Sequence, residues 1–394
     1  MTSRNRGSLK ALLLVTTVLA GAAPALAQTD KVRIGLVSPN TGANARYGAF
    51  AQRGAQLAAR EINTAGGVAG KQVELVPADS QCAPAEGVSA ARRLISQEKV
   101  GMIIGDICSS VTLAMQPVAE ADKVLLLNAA SSNPDITYKA GVGGYKWSFR
   151  NYPTDEVRAA VVLKYATEKK GYKKYAVLSV DSDYGRGAIN FTKKYVGQYG
   201  AEIVSEDYYK DGETDFRPVL AKIRRAGVDA ILMYGLADTT PIIARQMLES
   251  GLAGKVKLVG NGEFNAANTI KAAPAVFNGA VEAAAWLPGW DSPKSKAFVA
   301  NYKAAYGGEE PNNHAYVHWE TTHLLAQAIK EAGSADQDAV RRKLSTINYD
   351  SAVGPVTFDD HNQARLPMIL LSIQDGNSTI EGAERADIQY PKTN

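Results

Sequence analysis

The sequence contains 394 residues, of which 44 are lysine or arginine and 40 are aspartate or glutamate, giving a formal net charge of +4. Three of the positive charges, Arg4, Arg6 and Lys10, lie in the N-terminal segment, and without that segment the formal net charge falls from +4 to +1. A nearly neutral chain gives no electrostatic support to nucleic-acid binding, so we expect no nucleic-acid partner.

An apolar run over residues 11–27 follows these basic residues and ends in the sequence A-L-A at Ala27. This pattern predicts a secretory signal peptide that is cleaved after Ala27. A membrane anchor needs about 20 apolar residues, whereas this run is shorter and contains Pro24. No cysteine follows the cleavage site, so we expect no lipid anchor. The expected product is soluble and exported, and its length is typical of two domains.

From residue 31 onward, short apolar runs alternate with longer amphipathic ones. The predicted strands cover residues 31–39, 72–79, 100–106, 123–130, 174–182, 201–209, 229–235 and 257–263. The predicted helices between them include residues 47–65, 84–97, 156–170, 184–199, 216–226 and 240–250. This alternation predicts an α/β fold in which parallel sheets are covered by helices on both faces.

The elements form two series that join near residues 145–156, a segment rich in aromatic residues and marked by proline. After residue 263 the order changes. A strand over 279–286, helices near 294–306, 315–332 and 336–344, and strands over 355–360 and 368–376 complete the chain. This tail is too small for a third domain, so we expect it to complete both lobes and the chain to cross between them more than once.

The two cysteines, Cys82 and Cys108, are the only ones in the chain. In an exported protein, two cysteines most simply form one disulfide. The chain has no C-x-x-C motif and no further cysteine for a thiolate metal site, so a redox or metal role is the weaker interpretation.

Three turns in the first half of the chain are rich in hydroxyl and amide groups, at the point where strands lead into helices. They contain Ser38, Asn40, Thr41 and Tyr47, then Ser109 and Ser110, then Ser131, Ser132 and Asn133. Helix N-termini at such turns favour anions. Serines there also serve as caps alone, with Ser109 or Ser110 as the N-cap. Because three such turns are expected at one sheet edge, we favour a small-anion site.

The second half of the chain offers different groups. Glu263 follows a predicted strand among glycines and could meet a cation, although a solvated surface glutamate is ordinarily the favoured interpretation of such a residue. Gly185 and Gly187 resemble part of a dinucleotide loop, but Asn190 occupies the third glycine position. We therefore expect no cofactor.

The motifs of common enzymes do not occur. The chain lacks G-x-S-x-G, H-E-x-x-H and the P-loop sequence. His314 and His318 are four residues apart, as two metal ligands on a helix could be, but His323 falls on another face. Packing roles are favoured for these histidines, and we expect neither a metal site nor an enzyme.

The chain resembles the periplasmic solute-binding proteins of ABC importers, in the subgroup that binds leucine, isoleucine and valine. The resemblance rests on several segments in one order, among them "TGANARYGAFAQRGAQLAARE", "IIGDICSS", "LLLNAASSNPDIT", "DSDYGRGA", "GNGE" and "GPVTFDDHNQAR". It implies the type I periplasmic binding fold, in which two α/β lobes, each a parallel-rich sheet flanked by helices, are joined by a three-segment hinge. The implied first lobe comprises residues 28–149 and 279–354, and the second comprises 150–278 and 355–394.

The resemblance also implies a clamp for a ligand carboxylate on the first lobe. Ser109 corresponds to the residue that holds the carboxylate, with Ser110 beside it. The backbone of Ala130 and the side chain of Ser132 correspond to further contacts. The turn that contains Ser109 is also the one in which Cys108 is expected to pair with Cys82.

The remaining implied contacts come from both lobes. Tyr47 corresponds to an aromatic residue near the ligand on the first lobe, and Tyr184 to one on the second. Glu263 corresponds to the acidic partner of a ligand ammonium group. In leucine-binding members a tyrosine is expected near position 237, where this chain has Ala237, so the pocket is enlarged or reshaped.

The function implied by the resemblance is capture of a small solute and its delivery to a membrane permease. An amino acid of the branched-chain or hydrophobic type is the first expectation. An aromatic carboxylate, an amide or another small solute is the alternative, as is a ligand-sensing role for a receptor. The resemblance further implies a monomer in the periplasm, without cofactor.

Overall fold

The computed structural model describes residues 1–2, 31–235, 239–260, 264, 270–271 and 273–391. The predicted signal peptide lies almost entirely outside these ranges and stays a prediction. The described chain forms two main parallel-rich sheets with helices around them, which confirms the predicted α/β class. No helix in the described part combines the length and apolar character needed to cross a bilayer.

The first sheet is built from the N-terminal strands. These are β1 Lys31–Ser38, β2 Gln72–Asp79, β3 Met102–Gly105, β4 Leu125–Asn128 and β5 Ser148–Arg150. They pair in the order β2-β1-β3-β4-β5, and all pairs are parallel. The helices that connect them are α1 Ala45–Thr64, α2 Pro84–Ser96, α3 Ser109–Asp122 and α4 Pro134–Tyr138. Strands β3 and β4 are buried throughout, as expected for strands covered on both faces.

The second sheet contains most of the later strands. The later strands are β6 Lys174–Val180, β7 Glu202–Tyr209, β8 Ala230–Tyr234, β9 Lys257–Gly260, β10 Val281–Ala284, β11 Tyr349–Ser351, β12 Gly354–Val356, β13 Met368–Gln374 and β14 Asn377–Glu384. The sheet order is β14-β13-β10-β9-β8-β6-β7, and β13 is antiparallel to both of its neighbours, β10 and β14. Strands β11 and β12 form a separate antiparallel pair.

The helices of the second half fall into two groups. The first group is α5 Asp155–Lys164, α6 Asp183–Gln198, α7 Arg217–Ala226, α8 Thr239–Glu249 and α9 Pro274–Phe277. The second group is α10 Pro293–Ala305, α11 Asn313–Ala332 and α12 Gln337–Leu344. Helix α11 packs along α1, so the second group belongs with the first sheet. We call the first sheet with α1–α4 and α10–α12 the first lobe, and the second sheet with α5–α9 the second lobe.

The chain passes between the two lobes three times. The first crossing follows β5, the second follows β10, and the third includes β11 and β12 and ends at β13. All three crossings contribute residues to one small region, which we call the base of the molecule.

One predicted lobe boundary is wrong. The sequence assigned residues from 279 onward to the first lobe, but β10 pairs with β9 and with β13 in the second sheet. Its four residues are all buried, which suits an interior strand of that sheet. The second crossing therefore begins after Ala284, and the other predicted bounds stay predictions. The helix predicted over 156–170 also differs, because α5 continues as a π-helical turn at Tyr165–Lys169.

Candidate ligand-binding cleft

The turns after β1, β3 and β4 lie side by side, because these strands are neighbours and parallel in the first sheet. The sheet order thus brings together the three polar turns that stand out in the sequence. The turns after β6, β7 and β8 of the second sheet are neighbours in the same way. We call the space between these two sheet edges the cleft.

Asp79, at the end of β2, holds the first of these turns. Its Oδ1 accepts the N–H of Asn40 at 2.8 Å and that of Gln81 at 2.9 Å, and its Oδ2 accepts the Thr41 hydroxyl at 2.5 Å. Burial opposes ionisation, but the hydrogen bonds from Thr41, Gln81 and Asn40 hold the pKa of Asp79 below its usual value. The turn is therefore fixed by a carboxylate from the neighbouring strand.

The turn after β3 begins α3, with Cys108 at the N-cap and Ser109 and Ser110 as the first helical residues. The prediction that a serine caps this helix is therefore wrong. Cys108 has extended backbone and forms a disulfide with Cys82, whose Cα atom is 5.5 Å away, which confirms the predicted pairing. The Ser109 hydroxyl is 2% exposed and accepts the N–H of Asn133 at 3.2 Å. As an acceptor in that bond, it can still donate its own hydrogen.

Asp106 lies beneath this turn and is completely buried. Its Oδ1 accepts the N–H of Cys108 at 2.6 Å. Burial raises the pKa of the Asp106 carboxyl to about 7, and hydrogen bonds from Ser80 and Cys108 oppose that rise only in part. A group that titrates near neutral pH thus supports the turn.

The turn after β4 is organised by Asn128. The Asn128 Oδ1 accepts the N–H of Ala130 at 2.8 Å and that of Ser131 at 2.9 Å. The Ala130 N–H, which the resemblance assigned to a ligand carboxylate, is engaged by Asn128 in this structure. Ser132 is buried at the same turn, close to Ser109 through the Asn133 contact.

Ser132 connects this turn to α5 of the second lobe. Its carbonyl accepts the N–H of Asp155 at 2.9 Å, and its side chain is hydrogen-bonded to the Asp155 carboxyl. Asp155 and Arg158 form a buried ion pair at 3.0 Å. Arg158 also donates to the Tyr152 hydroxyl at 3.2 Å, and Asn313 donates to that hydroxyl at 3.1 Å. The sequence analysis missed this network, because an acidic residue in a first helical turn is ordinarily explained by the helix dipole.

Tyr47 lies on α1 and is buried, with its ring 4.5 Å from the ring of His314 on α11. His314 thus lies beside a predicted site residue, although it was not itself predicted to belong to the site. The Nδ1–H of His318 donates to the His314 carbonyl at 2.8 Å, and burial lowers the pKa of His318 to about 3, so it is neutral. Within the described residues, no group of three or more His, Cys, Asp and Glu side chains is placed to hold a metal.

The two lobes touch across the cleft. Asn133 Nδ2 of the first lobe donates to the carbonyl of Asp183 at 2.5 Å, directly before the buried Tyr184 of α6. Asn44 Nδ2 donates to Asp211 Oδ2 at 2.8 Å. These bonds define a closed arrangement of the cleft.

Three of the predicted site residues need separate mention. Ser110 is partly exposed at the start of α3. Glu263 and Ala237 lie outside the described residues, so their roles stay predictions.

Two α/β lobes with a closed cleft between their strand ends define a binding protein that encloses its ligand. The model of the family described as periplasmic binding protein matches residues 31–378, and the chain belongs to that family.

The chain is also similar to individual proteins with named ligands. It is 30% identical to an amino acid binding protein of Pseudomonas aeruginosa, over 88% of this chain and 90% of that protein. A branched-chain amino acid binding protein of Streptococcus pneumoniae, in complex with isoleucine, matches 91% of this chain and 99% of its own, with a TM-score of 0.80 and 28% identity. A solute-binding protein of Rhodopseudomonas palustris, in complex with 3,4-dihydroxybenzoic acid, matches 90% and 98%, with a TM-score of 0.82 and 26% identity.

Proposed function

We propose that this protein is the solute-binding component of an ABC importer and captures a small carboxylate-bearing solute in the cleft. The observation that carries this proposal is the hydrogen bond from the Asn133 N–H to the buried Ser109 hydroxyl, which joins the start of α3 to the turn that contains the buried Ser132. Hydroxyl groups beside the first N–H groups of a helix suit a carboxylate. An amino acid of the branched-chain or hydrophobic type is the leading ligand class.

An aromatic carboxylate is the second candidate. Described residues of the cleft are aromatic as well as polar, since the Tyr47 ring lies beside the His314 ring and Tyr184 is buried at the opposite edge. The similarity to the dihydroxybenzoate-binding protein supports the same alternative. Both ligand classes place a carboxylate at the same clamp and differ in whether an amine must be bound.

A thermal-shift screen of α-amino acids, aromatic carboxylates and amides tests the ligand class. A ligand at 100 times its dissociation constant adds about 2.7 kcal/mol of stability, which is readily seen as a rise in melting temperature. A screen in which no α-amino acid raises the melting temperature would show that the leading assignment is wrong.

Variants of Ser109 test the clamp itself. We expect Ser109→Ala to weaken binding of the screened ligand by about tenfold or more, since a hydrogen bond to a charged group contributes about 1.5–3 kcal/mol. Ser96→Ala, at an exposed serine of α2, is the matched control and should leave affinity unchanged. Equal affinities of the two variants would contradict a carboxylate site at Ser109.

Glu263→Gln distinguishes the two ligand classes. If Glu263 binds an ammonium group, the substitution should weaken amino acid binding by about tenfold or more. Binding of an aromatic carboxylate without an amine should be nearly unchanged by the same substitution.

Delivery to a permease, location in the periplasm and a monomeric state are further parts of the proposal. Deletion of the gene should abolish uptake of the bound solute in whole cells. Normal uptake together with binding to a receptor ectodomain would favour the sensing role instead.

A further inference from the structure

A small cavity lies at the base of the molecule, where the three crossings meet. The residues that line it are Asn151, Ala285, Tyr316, Val317, Glu320, Ser351, Val353, Val356 and Leu366. Asn151 belongs to the first crossing, Ala285 to the second, and Ser351 and Val353 to the third. The cavity leaves about 20 Å³ for the centre of a water molecule.

Three buried oxygen atoms on the lining residues of this cavity have no partner at hydrogen-bond distance in the described part of the protein. They are Asn151 Oδ1, Glu320 Oε1 and the hydroxyl oxygen of Tyr316. Asn151 Nδ2 is engaged, because it donates to Thr321 Oγ1 at 3.1 Å, and Glu320 Oε2 accepts the N–H of Ala352 at 3.5 Å. The Tyr349 hydroxyl also interacts with the Glu320 carboxyl. Buried polar atoms without a partner are rare in folded proteins and point to an unseen partner.

We propose that the cavity binds one ordered water molecule, which donates one hydrogen to Asn151 Oδ1 and the other to Glu320 Oε1. Asn151 Oδ1 can only accept a hydrogen bond, so the occupant must be a donor, as water is. Water can also accept a hydrogen bond from the Tyr316 hydroxyl, which lines the same cavity. A single water needs about 10–15 Å³ of such space and at least two polar partners, and both requirements are met. A divalent cation fits poorly, because it takes about six or more oxygen ligands and five of the nine lining residues are aliphatic.

The position of this water gives it a structural consequence. It would connect the first crossing, through Asn151, to α11, through Glu320. The Ala352 N–H on the third crossing is held by the same carboxyl group. With this water in place, Glu320 of α11 would be linked to two of the three crossings, to one through the water and to the other through the Ala352 N–H.

Diffraction from crystals of the protein tests the proposal directly. We expect one peak in an omit map at about 2.6–3.2 Å from both Asn151 Oδ1 and Glu320 Oε1. An empty cavity would overturn the proposal. A peak at the shorter distances that are typical of a metal ion, with thallium taking its place in a thallium soak, would also overturn the proposal.

A pair of variants gives a second, solution-based test. Asn151→Val removes one of the two acceptors, whereas Thr321→Val removes the other partner of Asn151 and leaves both acceptors in place. We expect ¹⁷O relaxation dispersion of water to count one long-lived internal water fewer in Asn151→Val than in the wild type, and an unchanged number in Thr321→Val. The same number in all three proteins would contradict the proposed site. If Asn151→Val does not fold, the wild-type diffraction result still decides.

Discussion

Asn44 and Asp211 join the two lobes by a hydrogen bond of 2.8 Å across the cleft. Asn44 immediately precedes α1 of the first lobe, and Asp211 follows β7 of the second. The bond therefore requires a closed cleft, and it stabilises that closed arrangement.

Loss of this bond should weaken ligand binding. We expect Asp211→Ala to reduce affinity by about two- to tenfold, since a net hydrogen bond contributes about 0.5–1.5 kcal/mol and a smaller closed population lowers apparent affinity. Asp215→Ala is the control, because Asp215 pairs with Arg217 within the second lobe. Titration calorimetry of both variants with the ligand measures the two affinities. Equal affinities would show that the bond has no effect on closure.

The disulfide should contribute a large share of the stability of the first lobe. Cys82 and Cys108 close a loop with a sequence separation of 26. In the chain-entropy model, a loop of that size corresponds to about 3–4 kcal/mol. We expect the double substitution Cys82→Ala and Cys108→Ala to lower the free energy of unfolding in urea by about that amount, and reduction of the wild type to have the same effect. A much smaller change would mean that the turn after β3 is held by its hydrogen bonds alone.

Asp106 should make stability depend on pH. Its pKa in the folded protein is about 7, against about 3.9 for an ordinary aspartate. Between these pH values the folded protein holds a proton that the unfolded chain has released, so stability falls as the pH rises from about 4 to about 7. Asp106→Asn removes this decrease while keeping an oxygen that can accept the Cys108 N–H.

The measurement is the difference in unfolding free energy between Asp106→Asn and the wild type at several pH values. We expect the variant to gain up to about 4 kcal/mol relative to the wild type across this interval, because one pKa unit corresponds to about 1.4 kcal/mol. His318, with its pKa lowered to about 3, titrates in both proteins and cancels in the difference. A difference that does not change with pH would contradict the raised pKa.

The buried ion pair of Asp155 and Arg158 should be far more sensitive to substitution than an exposed pair. We expect Arg158→Met to cost about 3–5 kcal/mol of stability, because it leaves Asp155 buried without its partner. Arg217→Met is the matched control and should leave stability nearly unchanged, since Arg217 and Asp215 are both largely exposed. Urea unfolding of the two variants gives the comparison. Similar losses would show that burial of the pair has little energetic weight.

Tyr390, near the C-terminus, contacts His361 and Asp359, and loss of these contacts should lower the free energy of unfolding. The Tyr390 ring stacks on His361 with centroids 3.9 Å apart, and its hydroxyl donates to Asp359 at 2.5 Å. We expect Tyr390→Phe to cost about 0.5–1.5 kcal/mol through the lost hydrogen bond, and Tyr390→Ala to cost more because the stacking is lost too. Equal unfolding midpoints in urea for both variants would assign the whole effect to the hydroxyl.

The local elements of the fold followed closely from hydrophobic patterns. Strand β2 occupies the predicted residues 72–79 without change, and α2 differs from its prediction by one residue. Strand β14 was not predicted, because it is a mostly exposed edge strand of polar residues and lacks an apolar pattern. The lobe of β10 was predicted wrongly, since a pattern of side chains does not state which sheet a strand joins.

The sequence by itself determined the α/β class, the disulfide and the polar turns that carry Ser109 and Ser132, because these depend on residue types and on periodicity along the chain. Only the tertiary structure showed that Cys108 caps α3, that Asp155 and Arg158 lie behind Ser132, and that His314 lies beside Tyr47. It also placed Asn151 and Glu320 at one cavity. The physical reason is that each of these relationships joins segments that are distant in sequence, and their proximity is decided by strand order and helix packing.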